Sequence, residues 1–106
     1  MFIERRATPR FPVVENVEAE LFCGDSRLSG FIADISEAGV RVIVHPASTG
    51  VLATLSVGDR IALVAKTDHQ AFECEIRRVG ADDLGLFFVD LATHARRREL
   101  IAKIVG

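Results

Sequence analysis

The sequence predicts a mainly β protein, a small six-stranded antiparallel (split) β-barrel with a C-terminal α-helix and an extended basic N-terminal arm. Three observations point there. Short runs alternate apolar and polar residues with period two, as half-buried strands do. Turn residues separate those runs at regular intervals. The last dozen residues change to a helical period, with Leu100, Ile101, Ile104 and Val105 on one stripe. At 106 residues, 49% of them hydrophobic, the chain suffices for one domain with one core.

The arm is assigned to residues 1–12 and the barrel with its helix to 13–106. Thr8 precedes Pro9, which biases it toward extended backbone, and Pro12 removes another amide donor. Val17-Glu18-Ala19-Glu20-Leu21 alternates cleanly and reads as the first strand, followed by a turn at Cys23-Gly24-Asp25-Ser26. Leu28 to Ile35 and Val40 to Val44 read as the second and third strands. The stretch from His45 to Gly58 is loop-like, with a short irregular element at Val51 to Leu55. Arg60 to Lys66, Phe72 to Ile76 and Leu84 to Val89 complete the six, and a helix follows from Thr93 as its N-cap. The cationic run Arg96-Arg97-Arg98 near that N-cap reads as solvated charge whose long stems cover apolar surface, with a partner-binding role as the minority reading.

Positive charge is local, since the formal net charge is −2. Arg5, Arg6 and Arg10 concentrate it in the arm. On an extended chain Arg6 and Arg10 project to one side, roughly 13 Å apart at about 3.3 Å per residue. Guanidinium forks suit phosphate oxygens and the O6/N7 edge of guanine. Asp34 and Ser36 share a face if the second strand continues through them. A carboxylate there can accept from guanine N1–H and N2–H, Ser36 can donate or accept, and Gly39 permits positive φ and close approach of a ligand.

Arg6-x-x-x-Arg10 followed by Asp34-x-Ser36-x-x-Gly39 resembles the PilZ domain, a family of bacterial receptors for cyclic di-GMP. The likeness runs from about Arg5 to about Leu91. Val57-Gly58-Asp59-Arg60-Ile61 and Leu84-Gly85-Leu86-Phe87-Phe88 resemble the family's fourth and last strands, and Ala38 stands where many members carry a second glycine. The resemblance implies a ligand site at Arg5, Arg6, Arg10, Asp34, Ser36 and Gly39. It also implies an arm that folds over the barrel when cyclic di-GMP arrives. A basic residue at Arg5 goes with an intercalated pair of ligands.

Output would pass through an unidentified downstream protein. A PilZ-like adaptor acting by protein contact without ligand is the alternative. A barrel for single-stranded nucleic acid would need exposed aromatics in a basic groove, whereas the seven aromatics are all Phe and the net charge is negative. No nucleic-acid polymer, metal, cofactor or membrane insertion is expected. His45, His69 and His94 lack metal-ligand spacing, Ser36 has no evident base, and no phosphate-loop or nucleophile-elbow pattern occurs, so no enzyme is predicted. Cys23 and Cys74, with no C-x-x-C and no signal peptide, read as reduced thiols of a cytoplasmic protein.

Overall fold

A computed structural model describes residues 11–67, 69–89 and 94–105. Six strands, β1 (Phe11–Cys23), β2 (Ser26–Ile35), β3 (Gly39–Val44), β4 (Arg60–Ala65), β5 (Ala71–Val79) and β6 (Asp83–Phe88), close into one antiparallel barrel. Their order around it is β1-β2-β3-β6-β5-β4, with β4 returning to β1. Closure gives each of the six described strands a neighbour on both sides, with β1 meeting β4 over Ala19–Phe22.

The alternation read from the sequence is what fills the barrel. On β5, Phe72, Cys74 and Ile76 point inward and are fully buried, while Ala71 and Glu73 face water. Leu21, Leu63 and Leu84 join them from β1, β4 and β6. Removing such side chains from water contributes on the order of 1.5–3 kcal/mol each, the dominant favourable term for a small domain. Phe72 and Phe88 meet edge to face at 5.6 Å between ring centroids.

The first strand is longer than its alternating stretch suggested. It begins at Phe11, where Phe11 lies opposite Ile35 and Pro12 opposite Asp34, and its register against β2 shifts between Pro12 and Val17. Proline lacks an amide donor, so a place beside an irregularity is one that a strand tolerates. Residues 11 and 12, assigned to the arm, are therefore part of the barrel wall. The loop after β3 holds a 3-10 turn at Pro46–Ser48 and a short helix α1 (Thr49–Leu52), a little earlier than the expected element. Its Leu52 is buried in the core, which ties the loop down.

The terminal helix α2 (His94–Val105) packs against β1. Its buried stripe is Arg97, Leu100 and Ile104, with Ile101 and Val105 partly buried against the core. The expected cap, Thr93, lies outside the described residues.

Candidate ligand-binding face

One row of residues crosses four neighbouring strands on the outer surface. Asp34 on β2 lies opposite Arg41 on β3, Arg41 opposite Gly85 on β6, and Gly85 opposite Arg78 on β5. Two single-residue register shifts put the charges of this row outside. One falls between Ile32 and Asp34, the other between Ile76 and Arg78. With period two, Asp34 would share the face of buried Ile32 and Arg78 that of buried Ile76. The extra residues Ala33 and Arg77 re-aim both charges to the surface.

The row is electrostatically organised around Asp83. Arg78 donates to both of its carboxylate oxygens, Nη1 to Oδ1 at 3.1 Å and Nη2 to Oδ2 at 2.7 Å. Arg41 Nε donates to Oδ2 at 2.9 Å, and Arg41 Nη1 lies 3.8 Å from Asp34 Oδ2. The Arg78 hydrogen bonds, and then the one from Arg41, hold the Asp83 carboxyl below the usual carboxylate range despite its burial. The same bonds raise the Arg78 guanidinium further. Gly85 leaves the space between the two arginines without a side chain, and the Arg78 stem lies across it, 3.3 Å from where a Cβ at 85 would be. Both arginine side chains keep substantial exposure, 41% for Arg41 and 53% for Arg78, so an anion can approach them.

Sequence reasoning missed both arginines. Arg41 was legible, since it sits two residues after Gly39 on the outward phase of a strand. Arg78 was not, because the shift before it reverses the phase.

Ser36 and Gly39 do a different job from Asp34. Ser36 is fully buried in the β2–β3 turn. Its Oγ accepts from the Ala38 and Gly39 amides, each at 3.2 Å, and its own amide donates to the Gly39 carbonyl at 2.8 Å. Asp34 is half-buried on the outer face, so the two side chains do not point to a common surface. Gly39 does not use the positive φ that a glycine permits. Its missing side chain serves strand contact instead, because a Cβ there would run into the Leu86 carbonyl oxygen.

Arg5, Arg6 and Arg10 lie outside the described residues. The chain immediately after Arg10 is placed, however: Phe11 and Pro12 pair with Ile35 and Asp34.

The helix reaches this turn as well. Arg97, expected to be solvated, is only 4% exposed. Its Nη1 donates to the Glu37 carbonyl at 2.7 Å, and its guanidinium lies over the Phe88 ring, 5.1 Å from the centroid. Arg98 Nε is 3.3 Å from Glu37 Oε2. Arg96 covers Phe72 at 5.3 Å and donates to Gln70 Oε1 at 3.0 Å. The spacing 97, 100, 104 was the available signal for the burial of Arg97.

Among the described residues no cluster of three or more His, Cys, Asp or Glu side chains could hold a metal. Burial, reinforced by the nearby Glu73 carboxylate, pushes the Cys74 thiol up to about 12, which keeps it protonated and unreactive near neutrality. No described helix is long and apolar enough to cross a membrane.

The family model described as PilZ domain matches residues 4–106. Solved structures agree on the fold. The PilZ domain of CeSA from a cellulose-synthesizing bacterium superposes with TM-score 0.71 at 18% identity, over 92% of this chain and 99% of that one. The PilZ domain of YcgR from Escherichia coli, solved with c-di-GMP, gives 0.73 at 16% identity, over 95% and 92%. MrkH of K. pneumonia, in complex with c-di-GMP, gives 0.71 at 14% identity, over 97% of this chain and 53% of the longer one. No curated protein matches by sequence.

Proposed function

The chain belongs to the PilZ domain family, and on that premise we propose that it is a cyclic di-GMP receptor. In this reading it binds the dinucleotide between its N-terminal arginine arm and the barrel face, and signals through a protein partner. One observation carries the reading. The strand that follows Arg10 begins beside Ile35 and Asp34, so the arm joins the barrel next to the charged row.

The chemistry of the row suits the two kinds of group on such a ligand. Asp34 accepts from guanine N1–H and N2–H, which only an anionic or neutral acceptor can do. Arg6 and Arg10 supply forks for O6/N7 edges and phosphates from the other side. Arg41 and Arg78 extend the cationic surface along the barrel and favour the phosphates. Ser36 and Gly39 act by fixing the turn that ends β2, which keeps Asp34 and the turn amides in place. Arg5 adds a third guanidinium able to stack between bases, which accommodates an intercalated pair of ligands.

Binding would fold the arm over the barrel and create a new surface for the partner. No group is asked to break a bond, so the role is recognition and not catalysis.

Arg6→Ala, Arg10→Ala and Asp34→Ala should each weaken cyclic di-GMP binding at least tenfold, about 1.4 kcal/mol. The two arginine variants should melt like the parent protein. Parent-like affinity in all three would overturn the site.

A further inference from the structure

We propose that Arg97 is a positioning residue for the β2–β3 turn beside Asp34, and that docking of α2 and ligand binding next to that turn are thereby coupled. The second half rests on the receptor reading above; the first half does not.

The observation is a buried cation where an apolar side chain would serve as well. Arg97 lies on the same helical stripe as Leu100 and Ile104, both buried in the core. Covering the core there requires only apolar volume, and burying a guanidinium carries a desolvation cost that a leucine would avoid. What the guanidinium supplies beyond volume is a directed donor. Its Nη1 meets the Glu37 carbonyl at 2.7 Å, while the Phe88 ring below offers its π face to the charge.

Glu37 is the residue between Ser36 and Ala38. Its carbonyl therefore belongs to the peptide whose amide, at Ala38, donates to Ser36 Oγ. Arg97 thus holds one end of a peptide plane whose other end is held by Ser36. Arg98 engages the Glu37 side chain at 3.3 Å, so two consecutive helix residues grip one turn residue by backbone and by side chain. Across the same turn, the Ala38 carbonyl accepts from the Phe88 amide at 2.9 Å, and Phe88 is the ring under Arg97. Helix, turn and β6 form one closed set of contacts.

A two-way consequence follows from thermodynamic linkage. If the docked helix favours the turn geometry that ligand needs, bound ligand must favour the docked helix by the same factor. The helix is then the element through which ligand binding beside the turn is passed on.

The test compares Arg97→Leu, Arg97→Lys and Arg97→Ala in the full chain, by amide hydrogen exchange without ligand and by titration with cyclic di-GMP. Arg97→Leu fills the stripe without a donor, and Arg97→Lys keeps a charged donor. Expected is parent-like thermal stability for Arg97→Leu, with exchange at the Ala38 and Gly39 amides at least tenfold faster and affinity at least fivefold weaker. Ile76, on the far strand, should exchange at the parent rate. Arg97→Lys should recover part of both losses, and Arg97→Ala should lose turn protection and stability together. In the parent protein, saturating cyclic di-GMP should slow exchange of the Leu100 and Ile101 amides.

Parent-like turn exchange in Arg97→Leu would overturn the positioning role. Faster turn exchange with unchanged affinity would overturn the coupling. Absence of binding by the parent would instead refute the receptor reading, and the ligand-free exchange would still decide whether Arg97 positions the turn.

Discussion

The β1–β2 and β2–β3 turns look alike in sequence, each a short polar stretch with one glycine, and they are built in opposite ways. Cys23 pairs with Ser26 across a two-residue loop, with Gly24 at φ 59° in open space. Its glycine answers a conformational need and nothing surrounds it. In the other turn Ile35 pairs with Val40, Ser36 is fully buried, and Gly39 lies against the Leu86 carbonyl of β6. Arg97 and Arg98 reach it from the helix. The first turn is a connection. The second concentrates buried polar groups that must all be satisfied together, which makes its geometry nearly unique. Such an arrangement costs desolvation that a plain hairpin avoids, and it borders the charged row of Asp34, Arg41 and Arg78.

Three substitutions would break or sharpen that contrast. The largest effect belongs to Gly39→Ala, whose methyl meets backbone and not a flexible side chain. It should destabilise by about 3 kcal/mol in urea denaturation, at the upper end for overpacking. A loss comparable to that at Gly24 would erase the distinction. Ser36→Ala comes next. It leaves the Ala38 and Gly39 amides without their hydroxyl acceptor in a buried site, a cost of roughly 1–3 kcal/mol. Gly24→Ala should be mildest, about 1 kcal/mol, because only the left-handed backbone is strained and the methyl enters open space. Its ligand affinity should equal that of the parent, whereas Ser36→Ala should lose affinity as well as stability.

Strand alternation makes the barrel legible in the sequence. Phe72, Cys74 and Ile76 occupy the inside of β5 as their spacing requires. Phase errors account for most of what was hidden. A single inserted residue leaves composition and hydropathy unchanged, so neither Ala33 nor Arg77 announces the shift that turns Asp34 and Arg78 outward. Pro12 breaks the pattern of β1 and concealed its early start. Long-range contact accounts for the remainder: the reason for Gly39 lies on β6, and the partner of Arg97 lies on the β2–β3 turn. Arg97 also shows where charge misleads, since a triple-arginine run suggests water while the helical spacing of its middle member suggests the core.

The most direct measurement is calorimetric titration of the purified parent protein with cyclic di-GMP, with GTP as control. Micromolar or tighter binding that GTP does not reproduce is the predicted result, and the fitted ratio would distinguish one ligand from an intercalated pair. No heat with cyclic di-GMP, and no competition by excess cyclic di-GMP against a labelled analogue, would contradict the receptor reading.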